Sequence, residues 1–81
     1  RMKTITVRYF AVFRERAGTG EETLQLDAAT ALDVFELTYA RHGSNEPTGH
    51  CKVAINDEMA DWAAKVSDGD TVLLFPPVAG G

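Results

Sequence analysis

Five residues near the carboxyl end of this 81-residue chain constrain its fold more than any other segment. Thr71-Val72-Leu73-Leu74-Phe75 is an apolar run with no polar alternation, and Pro76-Pro77 follows at once. An unbroken apolar run of strand length predicts a central strand covered on both faces. Proline fixes φ and has no N–H to give to a neighbouring strand, so the strand must stop and the chain must leave it extended. Ser67-Asp68-Gly69-Asp70 is a strong turn signal at the start of the same strand. As the most apolar strand, it belongs in the middle of a sheet, beside the first strand. Whatever follows Pro76 then springs from a rigid centre rather than a frayed edge.

The other elements can be read by period. In Thr4 to Phe10, Ile5, Val7 and Tyr9 alternate with Thr4, Thr6 and Arg8, which predicts the first strand. Phe10 to Ala17 loses the alternation and reads as a short helical turn, closed by Gly18-Thr19-Gly20. Thr23 to Leu26 alternates again and is expected to pair antiparallel with the first strand. Thr30 starts the main helix, where its hydroxyl caps free amides and Asp33 completes a short capping box. Leu32, Phe35 and Tyr39 form an apolar stripe for one side of a sheet. Gly43 supplies the stop, with Arg41 and His42 in the last turn. Residues 44–50 read as a loop. Lys52 to Ile55 is a short strand, Asn56-Asp57-Glu58 its turn, and Met59 to Trp62 a brief return strand. This order lays one helix across one face of a mixed sheet of four to five strands, an α+β fold. The expected organisation is one domain over residues 1–75 and an extended, flexible tail over residues 76–81. At this length the core is close to the lower limit for holding without staples.

Composition excludes several classes. The hydrophobic share of 44% and charged share of 25% are ordinary for a globular chain, which argues against overall disorder. A net charge of −4 with no basic stripe argues against nucleic-acid binding, since Arg14 and Arg16 are only a local pair. No apolar run is long enough for a bilayer, and the first apolar stretch alternates with polar residues, unlike a signal peptide. Arg1 ahead of Met2 reads as a cloning remnant. Cys51 is the only cysteine, so no internal disulfide forms; it reads as a structural residue of a cytoplasmic protein in a reducing compartment.

No internal active site is visible. His42 and His50 lack a Cys or acidic residue at metal-ligand spacing and read as solvent-exposed loop or helix-end residues. Gly18-Thr19-Gly20 has neither the spacing nor the Lys-Ser/Thr of a phosphate loop. Ser44 and Ser67 have no identifiable base, Asp68 and Asp70 read as turn formers, and Phe13 and Trp62 as packing residues. What remains is the tail Pro76-Pro77-Val78-Ala79-Gly80-Gly81. The two glycines alone are a weak signal, but a stiff proline base, a reach of roughly 20 Å and a tip without side chains suit insertion into a narrow partner site. The group at that tip is the Gly81 carboxylate, inert until it attacks the α-phosphate of ATP to give an acyl-adenylate. A sulfur donor can then displace AMP and leave a thiocarboxylate. The chain has no visible site for ATP, so a partner must supply the catalysis.

These motifs resemble one family over nearly the whole chain. Tyr9-Phe10-Ala11-Val12-Phe13-Arg14-Glu15, Val53-Ala54-Ile55-Asn56, Asp68-Gly69-Asp70 and Phe75-Pro76-Pro77-Val78-Ala79-Gly80-Gly81 are similar to those of the small sulfur-carrier subunits of molybdopterin synthase. That family is ubiquitin-like, with a β-grasp fold. The resemblance implies adenylation of Gly81 by an adenylyltransferase related to those that activate ubiquitin, then sulfuration by a sulfur donor enzyme. The tail would then insert into the large synthase subunit and deliver sulfur to cyclic pyranopterin monophosphate, within a heterotetrameric sulfurtransferase. No cofactor is expected on this chain itself; ATP and Mg are used by the activating partner. Neither nucleic acid nor membrane is expected as a partner. Matching positions place a partner-facing patch at Phe10, Arg14, Met59 and Phe75, with Met59 standing where the family often has another aliphatic residue. Alternation alone leaves Phe10 and Phe75 open between that patch and the core. Rival readings are a carrier for thiamine thiazole synthesis, whose family is usually shorter and lacks the Pro-Pro-Val-Ala spacer, a carrier for tRNA thiolation or protein conjugation, and a β-grasp interaction module without tail chemistry.

Overall fold

The computed structural model describes residues 1–42 and 51–76. The elements are β1 (Lys3–Tyr9), α1 (Val12–Ala17), β2 (Glu21–Leu26), α2 (Ala31–His42), β3 (Lys52–Ile55), β4 (Glu58–Ala60) and β5 (Thr71–Phe75). The strands form one mixed sheet in the order β2-β1-β5-β3-β4. β5 lies between β1, which it pairs parallel, and β3, which it pairs antiparallel. The expected central position of the apolar run is therefore borne out, as is the antiparallel pairing of β1 with β2.

Alternation sorts the strand residues onto two faces. Ile5, Val7 and Tyr9 of β1, Val72 and Leu74 of β5, and Val53 of β3 join Ala31, Val34 and Phe35 of α2 in one buried core. Trp62 packs against this core, with its ring 5.2 Å from that of Phe35. Cys51 and Phe13 are buried in the same cluster, in keeping with their reading as packing residues.

The apolar stripe of α2 differs from expectation. Its buried residues are Ala31, Val34, Phe35 and Thr38, while Tyr39 is exposed and Leu32 only half-buried. At 100° per residue, positions 31, 34, 35 and 38 cluster around one direction, and positions 32 and 39 sit to the side of it. Thr38 is tolerated there because its hydroxyl donates to the carbonyls of Val34 and Phe35, at 3.0 and 2.9 Å. The helix start follows the expected box. The Asp33 N–H donates to Thr30 Oγ1 at 3.3 Å, and Asp33 Oδ2 accepts from the N–H groups of Thr30 and Ala29. Those backbone bonds hold the Asp33 carboxyl below the usual range. The proposed Gly43 stop, the 44–50 loop and His50 lie outside the described residues.

Two turns fix β5 against its neighbours. Asn56 and Asp57 both have left-handed backbones, with φ of 51° and 70°, which is the two-residue hairpin geometry that matches strand twist. Glu58 thus belongs to β4, and that strand ends at Ala60 rather than Trp62. The Asn56 side chain accepts from the Thr71 N–H at 3.0 Å and donates to Asp70 at 2.9 Å. In the Asp68-Gly69-Asp70 turn, Gly69 has φ of 90°, a conformation that strains any L side chain. Its N–H donates to the Thr4 carbonyl at 2.8 Å, while Asp68 Oδ1 accepts from the Thr4 N–H at 2.6 Å. The acidic pair is therefore a turn device that locks β5 to β1.

Candidate functional site

The face of the sheet opposite α2 has two distinct ends. At one end Thr4, Thr6, Thr23, Gln25 and Thr71 give a polar surface, tied by a Gln25 to Thr4 hydrogen bond of 2.7 Å. At the other, from which the chain leaves β5, the surface is aromatic and aliphatic. Cross-strand register lines up Arg8 of β1, Leu73 of β5, Ala54 of β3 and Met59 of β4 in one row. In the next row Phe75 stands opposite Lys52, and Phe10 stacks on Phe75 with ring centres 4.8 Å apart and planes 12° apart. Such a pair contributes about 0.5–1.5 kcal/mol beyond its buried area.

This arrangement answers the question that alternation left open. Phe10 and Phe75 are absent from the buried core and only half-buried. Leu73 and Ala54 are 8% and 3% exposed although α2 covers only the other face, and the aromatic pair forms the accessible part of a nearly continuous apolar strip. Met59 is 65% exposed at the β4 end of that strip. Arg14, on α1, is exposed and lies against Gly20, where an added Cβ would sit 3.4 Å from its Nε. The fold therefore brings Phe10, Met59 and Phe75 onto one face and sets Arg14 at its margin. Pro76 is half-buried at the root of the tail. Pro77, Val78, Ala79, Gly80 and Gly81 lie outside the described residues.

The backbone at Ala11 is unusual. Its φ of 51° and ψ of −123° fall where L side chains are strained, and the Phe13 N–H donates to the Phe10 carbonyl across it at 3.1 Å. This tight reversal turns the chain from β1 into α1 and leaves Phe10 on the open face while Phe13 enters the core. Arg8 belongs to the same surface and is absent from the sequence-derived patch. Its guanidinium carbon is 5.9 Å from the centre of the Phe10 ring. The signal was present: Arg8 lies two residues before Phe10 in an alternating strand, hence on the same face.

A polar cluster on the helix-covered side was also missed. Tyr9 Oη donates to Glu22 Oε2 at 2.7 Å, and His42 Nε2 donates to the same oxygen at 2.6 Å. Arg41 approaches the other carboxylate oxygen at 3.5 Å. His42 is thus at a helix end as expected but not solvent-exposed, its side chain being 17% exposed. Burial, reinforced by the Glu22 hydrogen bond, pushes the Tyr9 phenol well above its usual range. Burial works to raise Glu22 too, but the hydrogen bonds from Tyr9 and His42 outweigh it and hold the carboxyl below its ordinary value. The cluster ties the end of α2 to β1 and β2. Its partners are far apart in sequence, so spacing gave no hint of it.

Among the described residues no group of three or more His, Cys, Asp or Glu side chains is placed to hold a metal ion. No helix among them is long and apolar enough to cross a membrane. The outer face combines the Phe10–Phe75 stack and exposed Met59 with the charged side chains of Arg8 and Glu21 at the end where the chain leaves β5.

Comparison with known proteins agrees with this geometry. Residues 7–81 match the model of the ThiS family. The chain is 37% identical over 81 residues to the molybdopterin synthase sulfur carrier subunit of Chlamydomonas reinhardtii, covering 95% of this chain and 98% of that one. Among solved structures it is similar to the small archaeal modifier protein 1 of H. volcanii, with a TM-score of 0.79 and 26% identity over 94% of this chain and 99% of that one. It is also similar to a chain in the complex of subunits 1 and 2 of the molybdopterin-converting factor from Helicobacter pylori, with a TM-score of 0.62 and 29% identity over 96% and 99% of the two chains.

Proposed function

The chain belongs to the ThiS family, and from that premise we propose that it is the sulfur carrier of a molybdopterin synthase, with the Gly81 carboxyl as its working group. The observation that carries this reading is the near full-length similarity to a sulfur carrier subunit, in a β-grasp chain whose tail root sits at the centre of the sheet.

The chemistry divides between this chain and its partners. An adenylyltransferase binds ATP and Mg and brings the Gly81 carboxylate onto the α-phosphorus; an acyl-adenylate forms and pyrophosphate leaves. Sulfide delivered by a sulfur donor then attacks the acyl carbon and AMP departs, leaving a thiocarboxylate. In the large synthase subunit the thiocarboxylate sulfur attacks a carbon of the cyclic pyranopterin monophosphate, and the oxygen substituent on that carbon leaves as the carbon–sulfur bond forms. Hydrolysis of the resulting acyl–sulfur bond leaves sulfur on the product and restores the Gly81 carboxylate. The carrier's own contribution is positional. Phe10, Phe75 and Met59 dock on the partner, Arg14 contacts it at the margin, and Pro76, Pro77, Val78, Ala79 and Gly80 deliver the terminus. β5 is held on both sides by ladders and at its start by Asn56 and the Asp68-Gly69-Asp70 turn. That restraint fixes where the arm starts, which lowers the entropy lost when its tip is captured.

A second reading rests on the similarity to a small archaeal modifier protein. Activation of Gly81 would be the same, but a lysine amine would take the acyl group in place of sulfur. Intact mass spectrometry separates the two. Incubation with the activating enzyme, ATP and sulfide should exchange one oxygen for sulfur at the carboxyl terminus. Attachment to other proteins without that exchange would favour the modifier reading and contradict the carrier.

A further inference from the structure

We propose that Arg8 and Arg14 together form a carboxylate-binding cleft beside the tail root, and that it determines which protein the docking face accepts. The proposal rests on the synthase reading above and adds to it a chemical requirement on the partner: an acidic side chain standing next to the apolar surface that covers Phe10.

Three observations carry it. The first is the charge of the face itself. The chain has 12 acidic residues against 8 Lys and Arg. Yet among the strand positions that register places on the outer face, Glu21 is the acidic one, while Arg8 and Lys52 are basic. A net-negative molecule therefore presents a locally positive surface around the root of its tail. Such a surface orients the encounter with an acidic partner patch and disfavours a basic one.

The second is shape. Arg8, Phe10, Arg14, Gly20 and Glu21 are among the residues that line a shallow, open cleft of about 410 Å³. The missing side chain at Gly20 leaves the room in which Arg14 lies. Arg8 and Arg14 less Glu21 give the cleft a charge of +1, which suits a single carboxylate. A phosphate dianion would leave the cleft over-neutralised.

The third is availability. Arg8 forms an ion pair with its cross-strand neighbour Glu21, but Nε stands 3.7 Å from Oε1, longer than a hydrogen bond, and both side chains are about half exposed, so the pair is weak and open to exchange. The Arg8 guanidinium carbon lies over the Phe10 ring at 5.9 Å, an interaction with the ring face that consumes no hydrogen-bond donor. Covering the Phe10–Phe75 stack with a partner would dry this margin and strengthen any charged pair formed there.

The test uses the full chain and the large synthase subunit from the same genome, with binding measured by calorimetry. Arg8→Gln and Arg14→Gln should each weaken binding roughly ten- to hundredfold, the range for a lost charge-assisted hydrogen bond. The double variant should lose less than the product of the two, because both residues meet one carboxylate. Thermal unfolding of all three should match the parent, since both side chains are exposed. Wild-type affinity should fall with added chloride more steeply than that of the double variant. If the wild type binds and the variants bind equally well, or if the two losses multiply, the shared carboxylate is wrong and the synthase reading stands. If inorganic phosphate weakens binding more than chloride of matched ionic strength, the cleft is a phosphate site and the proposal fails. If the wild type does not bind the large subunit at all, the synthase reading fails and this proposal with it.

Discussion

The smallest feature with a large consequence is the backbone of Ala11. Its φ of 51° and ψ of −123° suit glycine better than alanine, and strain of this kind costs of order 1–3 kcal/mol. Ala11→Gly should raise stability by about 1 kcal/mol after the added freedom of the unfolded chain is deducted, read as a higher midpoint in thermal unfolding. No change, or a fall, would mean that the turn is unstrained. Glu22 sets a second expectation. Its folded carboxyl lies below the ordinary 4.5, so its stabilising contribution is complete above that pH and is lost as acid titrates the folded chain. Glu22→Gln should therefore be less stable than wild type at neutral pH, with the gap closing under acid. Tyr9 has the opposite sign. Its phenol lies above the ordinary 10.0, so its contribution is intact below that pH and is lost as alkali rises past it. Unfolding profiles of Glu22→Gln and Tyr9→Phe across pH check both signs.

Among the elements, β5 matters most, and its restraint comes from turns as much as from ladders. Gly69→Ala meets no atom within 4 Å, so any loss must come from the backbone at φ of 90°. The expected cost is about 1–3 kcal/mol in denaturant unfolding, with no effect on partner contacts if the fold survives. A neutral result would place the hold on β5 in its ladders alone. This element was also the most legible from sequence, because an unbroken apolar run ended by two prolines admits few placements. β1, β2 and the start of α2 were legible for similar reasons of period and capping. The inward stripe of α2 was misjudged because small Ala31 and self-satisfied Thr38 carry no obvious apolar signal. The return strand was misplaced because two left-handed residues, Asn56 and Asp57, complete the hairpin by themselves. At the site, Phe10, Arg14, Met59 and Phe75 came from motif similarity, and the fold groups them. Arg8 was within reach of the alternation that places it on the face of Phe10, whereas the Tyr9–Glu22–His42 cluster needed three dimensions, since strand pairing and helix docking create those neighbours.

At the scale of the whole molecule, the sheet separates two tasks. One face is closed by α2 and keeps the chain folded, while the other is open, aromatic and positive beside the root of the tail. Contact and chemistry should therefore be separable by mutation. Gly80→Leu should leave folding intact and block activation or insertion, because a side chain is added where a narrow partner channel is proposed; thiolation at the wild-type rate would exclude such a channel. The central claim, that this chain delivers sulfur from Gly81 to a pyranopterin, is tested most directly by single-turnover reconstitution. Thiocarboxylated carrier is mixed with the large synthase subunit and cyclic pyranopterin monophosphate, and carrier mass and product are followed together. The account predicts that molybdopterin appears as the terminal thiocarboxylate returns to carboxylate, with two carriers discharged for each dithiolene. A carrier that keeps its sulfur in that mixture, or product formed equally well with a Gly81-deleted chain, would contradict it.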